Sequence, residues 1–122
     1  QVLLNLLQNA VQAMPKGGKI SITSSHSQAK DVAALKLKLK DRMLPDVNSE
    51  FLTIEVKDNG MGIEKEHLKK IFDPFFTTKE IGKGTGLGLA ICYGIISEFG
   101  GDIQVLSQPK KGSRFKIILP IG

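Results

Sequence analysis

The chain has 122 residues, of which 41% are hydrophobic and 24% charged, the proportions of one globular domain and not of a disordered segment. No stretch approaches the roughly 18 apolar residues of a membrane span, and the start lacks a signal-peptide pattern. A net charge of +5 with one Tyr and no Trp admits an anionic ligand but gives no aromatic-basic platform for nucleic acid.

Residues 1–14 read as a helix. Gln1, Asn5, Gln8, Asn9 and Gln12 fall within one stripe about 100° wide, and Val2, Leu3, Leu4, Leu6, Leu7, Ala10, Val11 and Ala13 fill the rest. The stripe carries amides and no charge. A solvated helix face usually holds Lys and Glu, so this one is expected to look into a site. No capping residue precedes Val2, which reads as a domain cut from a longer protein at its N-terminus.

Pro15 to Gly18 breaks the helix, and residues 19–25 alternate Ile20 and Ile22 with polar neighbours as a strand does. Residues 26–50 stay open between strand and helix. Leu35, Leu37 and Leu39 alternate with lysines, yet Val32, Leu35, Leu39 and Met43 share a helical face. Here Lys30, Lys36, Lys38, Lys40 and Arg42 outnumber Asp31 and Asp41, so the segment is either a docking surface or a solvated insertion. Residues 51–57 form a second strand with Leu52, Ile54 and Val56 on one side, ending in the turn Asp58-Asn59-Gly60-Met61-Gly62. Residues 64–72 are expected to be a short helix with Leu68, Ile71 and Phe72 inward. A long loop follows to Gly86. Residues 87–99 read as a buried helix that stops at Gly100-Gly101. Residues 103–107 and 114–119 close the chain as two strands with Gly112 in the turn between them. The order predicts an α+β fold: a two-layer sandwich of a mixed, mostly antiparallel sheet with helices on one face.

Thirteen glycines are the compositional outlier. Gly82, Gly84, Gly86 and Gly88 alternate up to a helix start, where bare backbone and unpaired N–H groups make an anion cradle. The spacing fits neither a P-loop nor a dinucleotide fingerprint, and a flexible helix-capping loop has the same look. Asp58 at a strand end, followed by glycines, suits a carboxylate that accepts from an amino group while a flat ring lies on the backbone. An Asx turn explains the same residues. Asn5 and Asn9, four apart on one helix face, supply hard neutral oxygens for a Mg²⁺ already held by phosphates; simple helix polarity would leave the same trace. Cys92, the single cysteine, excludes an internal disulfide and reads as core. His26 and His67 lie far apart, against a metal cluster.

Together, in this order, the motifs resemble the ATP-binding catalytic domain of sensor histidine kinases, in the superfamily shared with gyrase, heat-shock chaperone and mismatch-repair ATPases. Asn5-Leu6-Leu7-Gln8-Asn9-Ala10 resembles the N box and Asp58-Asn59-Gly60-Met61-Gly62-Ile63 the first glycine box. Asp73-Pro74-Phe75-Phe76-Thr77-Thr78-Lys79 resembles the F box, and Gly84-Thr85-Gly86-Leu87-Gly88-Leu89-Ala90-Ile91 the second glycine box. The stretch from Gly112-Ser113-Arg114-Phe115 through Leu119-Pro120 is similar to the final hairpin. The likeness spans the chain apart from residues 26–50, which read as an insertion.

The resemblance implies a Bergerat-type ATP-binding fold and a protein-histidine kinase catalytic domain. Asn9 would ligate Mg²⁺ bridging the phosphates, with Asn5 assisting. Asp58 would accept from the adenine amino group, and Gly60, Gly62 and Ile63 would line the base. Ser113, where the family usually has Thr, would serve the adenine-side water. Lys79 would reach the terminal phosphates, and Gly84, Thr85, Gly86, Leu87 and Gly88 would wrap them. Residues 73–86 would be the mobile ATP lid, with Phe75 and Phe76 anchoring it or docking on the upstream domain. The water-splitting branches carry Glu at the position of Asn5, and an amide cannot take a proton near neutral pH. That favours γ-phosphoryl transfer to a neutral imidazole over hydrolysis.

The acceptor histidine lies upstream in this family, on a dimerising helical hairpin. The implied partners are therefore that domain and a response regulator receiver domain, with no nucleic acid and no membrane contact by the domain itself. His67, with no acidic residue following it, reads as a surface side chain and not as an acceptor. Gln12 stands where some relatives have a phosphate-facing base. The implied location is cytoplasmic, whether or not the parent is membrane-anchored. A second reading is a nucleotide-binding or pseudokinase interaction module without phosphotransfer.

Overall fold

A computed structural model describes residues 1–28, 50–76 and 88–121. In chain order the elements are α1 (Val2–Gln12), β1 (Ile20–Gln28), β2 (Glu50–Asp58), α2 (Gly88–Glu98), β3 (Asp102–Gln108) and β4 (Gly112–Pro120). The four strands form one sheet in the order β1-β2-β4-β3, and every pairing is antiparallel. The α+β expectation holds, with no parallel pair among the described strands.

Alternation assigns each strand two faces. On the inner face Val56, Phe115, Ile117 and Ile103 join Leu6 of α1 and Cys92 and Ile96 of α2 in the core. The helices pack against each other as well as on β2 and β3. The outer face carries Glu55 between Arg114 at 3.1 Å and Lys116 at 4.0 Å, half-exposed pairs of small energetic weight. Phe51 and Ile118 are nonetheless fully buried on that outer parity. The expected inner stripe of Leu52, Ile54 and Val56 missed this second apolar spot.

Three expectations need correction. Residues 64–72 are not a helix but a succession of turns. Their bonds run three residues apart: His67 N–H to Glu64 O, Lys70 N–H to His67 O, Asp73 N–H to Lys70 O. Pro74 disfavours helical backbone at Asp73 before it. Ile71 is still buried and Phe72 packs on the core. Second, α2 is only half buried: Cys92 and Ile96 face inward, while Ile91 and Tyr93 are exposed, as is Phe99 just past its end. Third, Gly112 opens β4 instead of sitting in the turn, at φ +116° and opposite Gln108.

The stop after α2 is as expected. Gly100 takes φ +78°, its N–H bonds Ser97 O, and Gly101 N–H bonds Ile96 O, the paired bonds of a Schellman end. Most of the ambiguous 26–50 stretch lies outside the described residues, as do Thr77, Thr78, Lys79, Gly82, Gly84, Thr85, Gly86 and Leu87.

Candidate functional site

The end of β2 delivers Asp58 to the inner face between Ile20 of β1 and Ser113 of β4. Among the described residues, Asp58 at 5% exposure and Ser113 at 7% are the buried polar side chains. A buried carboxylate is costly unless hydrogen-bonded. Asp58 Oδ1 accepts the Gly60 N–H at 2.9 Å. The Asx-turn reading is therefore correct, and it uses one oxygen of the carboxylate. Asn59 ties the same turn to the residue just before β1: its Oδ1 accepts from Lys19 N–H at 2.8 Å, and its own N–H reaches Lys19 O at 3.3 Å.

The glycines of this turn are explained first by the protein's own packing. A Cβ on Gly60 would stand 2.5 Å from the carbonyl oxygen of Ala13, just past α1. Gly62 has φ +71°, and a Cβ there would collide with Gln108 O; one on Gly112 would collide with Asp58 O. The turn is strapped on both sides: Met61 N–H donates to Ala13 O at 3.0 Å, and Lys110 N–H donates to Met61 O at 2.6 Å. Ile63, at its far end, donates its N–H to Ser107 Oγ at 2.8 Å and packs on the core.

Ser107 was not singled out from the sequence. Its signal was there: a hydroxyl at an inward position of β3, after Ile103 and Val105, where an apolar residue is the pattern. The register sets it directly opposite Ser113.

The second region lies between the helices. Asn5 and Asn9 are half-buried on α1. The Asn5 amide lies beside the start of α2: a Cβ on Gly88 would stand 4.0 Å from its Cγ. Burial pushes the Cys92 thiol up from its ordinary pKa, and a hydrogen bond with Asn5 opposes this in part. Cys92 Sγ also contacts Val2 O at 3.8 Å, so it is a core thiol. The fold thus brings Asn5 to Gly88, residues 83 positions apart in sequence, and sets Asp58 against Ser113. Gln12 is exposed.

The aromatic pair splits. Phe76 packs on the core with its ring 5.5 Å from that of His67, whereas Phe75 is 72% exposed at φ +69°. Among the described residues no group of three or more His, Cys, Asp or Glu could hold a metal, and no helix is long and apolar enough to cross a membrane.

The sequence profile described as histidine kinase-, DNA gyrase B-, and HSP90-like ATPase matches residues 1–122. Sensor kinase CckA of Brucella abortus (strain 2308) is 50% identical over 120 residues, 98% of this chain and 12% of CckA. Sensor histidine kinase ZraS of Escherichia coli (strain K12) is 43% identical over 122 residues, 100% of this chain and 21% of ZraS. The chain therefore spans only a small part of these curated relatives. Among solved structures, the nucleotide-free catalytic domain of histidine kinase ThkA is similar at TM-score 0.69 and 38% identity, covering 98% of this chain and 65% of that one. Full-length ShkA in complex with AMPPNP gives TM-score 0.72 at 25% identity, over 98% of this chain and 20% of ShkA.

Proposed function

We propose a function on the premise that this chain belongs to the histidine kinase-, DNA gyrase B- and HSP90-like ATPase family. It binds Mg-ATP in the cleft bounded by α1, the turn after β2 and the start of α2. It donates the γ-phosphoryl group to a histidine on a separate dimerisation domain, from which a response regulator receiver domain would take it. The observation that carries the reading is the Asp58–Ser113 pair, two buried polar side chains adjacent across β2 and β4. One carboxylate oxygen is held in the turn; the other is proposed to meet a donor, and the adenine 6-amino group is such a donor.

The residues of α1 fit a magnesium ion by the chemistry of their donors. Asn9 would hold it through a neutral amide oxygen, which suits a hard cation whose charge the phosphates already meet. When bound, the ion neutralises charge on the β- and γ-phosphates. Asn5, an amide where a general base would be needed to split water, leaves the γ-phosphorus to a nucleophile that needs no deprotonation. The imidazole nitrogen would bond to phosphorus as the bond to the β–γ bridging oxygen breaks, leaving ADP. Gly88 keeps the backbone bare at the phosphate end. Lys79, Gly84, Thr85, Gly86 and Leu87 are proposed phosphate neighbours in the lid, and Gly60, Gly62 and Ile63 proposed walls of the base pocket. Phe75 is proposed to meet the upstream domain while Phe76 anchors the segment.

Calorimetric titration of the chain with ATP, with and without Mg²⁺, tests this. Binding strengthened by Mg²⁺ is the expected result. Absence of binding under both conditions overturns it.

A further inference from the structure

The hydrogen bonds around Ser107 fix the direction of a proton that no sequence motif assigns. Its Oγ makes three contacts: Ile63 N at 2.8 Å, Gly112 O at 2.9 Å and Ser113 Oγ at 2.9 Å. A serine hydroxyl has one proton and two lone pairs. The Ile63 N–H can only donate, so it takes one lone pair. The Gly112 carbonyl can only accept, so it takes the proton. One lone pair of Ser107 remains, and the contact with Ser113 must therefore run from the Ser113 hydroxyl to Ser107. Ser113 is left with its proton spent and only lone pairs to present.

We infer that Ser107 is a specificity-determining positioning residue: by holding the Ser113 proton it makes the base pocket accept from its ligand on both sides. Asp58 accepts because it is a carboxylate; Ser113 accepts because Ser107 leaves it no other option. Two acceptors adjacent across β2 and β4 select a group with two protons to give. A 6-amino purine supplies these directly or through one water, and a 6-oxo purine presents a carbonyl to a site that has nothing to donate. The inference rests on the nucleotide reading above and deepens it, since it names which purine edge the pocket takes and which residue outside the ligand contacts decides it. Ser107 does not itself touch the base. It acts through Ser113 and, by way of Ile63, through the wall of the glycine turn.

The test compares ATP with inosine triphosphate, which carries a carbonyl in place of the 6-amino group, by calorimetry on the 122-residue chain with Mg²⁺ present. Ser107→Ala frees the Ser113 proton, so the preference for ATP should fall on the order of fivefold, the scale of one net hydrogen bond. Ser107→Thr retains the hydroxyl and should restore the preference. In a Ser113→Ala background, Ser107→Ala should change the preference no further, because the relay has lost its end. Should Ser107→Ala not fold, Ser107→Cys fills the same space with a weak donor and acceptor and should shift the preference in the same direction.

A residue that merely supports the fold would weaken both nucleotides equally and leave their ratio fixed. That result, or an equal ratio change with and without Ser113, overturns the inference. If the unaltered chain binds neither nucleotide, the failure belongs to the proposed function. If it binds ATP and the ratio does not move in the variants, only the role of Ser107 is lost.

Discussion

The two ends of the proposed cleft are built differently. The end at Asp58 is closed on itself: the turn is strapped to Ala13 on one side and to the Gln108–Gly112 turn on the other, and Ser107 joins three elements. The end at Asn5, Asn9 and Gly88 is an amide face on a helix beside a bare helix start, with room for a Cβ at Gly88. One end is defined by what the protein does to itself, the other by what the described residues leave unfilled. A residue's type therefore means different things at each. Glycine after Asp58 is required by the fold, whereas glycine at the start of α2 is free to be required by a ligand.

Substitutions should separate the two ends. The largest effect is expected for Gly62→Ala, where the new Cβ meets Gln108 O in a left-handed backbone conformation. The chain should lose about 2–4 kcal/mol of stability in urea denaturation. A variant as stable as the unaltered chain would show that the fold does not require glycine at position 62, leaving only its proposed place in the wall of the base pocket. Next, Asn9→Ala should cost about 1 kcal/mol of Mg-ATP affinity and abolish the strengthening by Mg²⁺, while adenosine binding stays as it was. Persistence of the Mg²⁺ effect in calorimetry would move the ion off α1. The smallest change in stability belongs to Gly88→Ala: a gain of up to about 0.5 kcal/mol from helix propensity, with reduced ATP affinity because the phosphates lose the bare backbone. Unchanged affinity would show that Gly88 serves only the approach of α2 to Asn5.

Much of this was legible in the sequence, for identifiable reasons. Strand alternation at Ile54 and Val56, and the glycines after α2, follow from periods and φ preferences that act locally. The Asp-glycine turn was readable because an Asx turn constrains residue type as well as spacing, and the paired asparagines because an uncharged amide stripe departs from the pattern of a solvated helix face. What was not legible depends on contacts between distant segments. Residues 64–72 have a helical apolar spacing, yet the chain there makes only three-residue turns before Pro74. Phe51 and Ile118 look like outward positions by parity and are buried all the same. Ser107 becomes informative only once the register places it against Ser113, and Gly60 only once Ala13 is known to lie above it. Lys79 and the glycines from 82 to 86 lie outside the described residues.

The central claim is that the carboxylate of Asp58 receives the amino group of adenine. Asp58→Asn tests it with little disturbance, because the asparagine Oδ1 can still accept from Gly60 N–H and keep the turn, while its amide nitrogen turns an acceptor into a donor. In titrations of the chain with Mg-ATP, the account predicts a loss of about 1–3 kcal/mol in binding with an unfolding midpoint close to that of the unaltered chain. Equal affinity in the two proteins would contradict it.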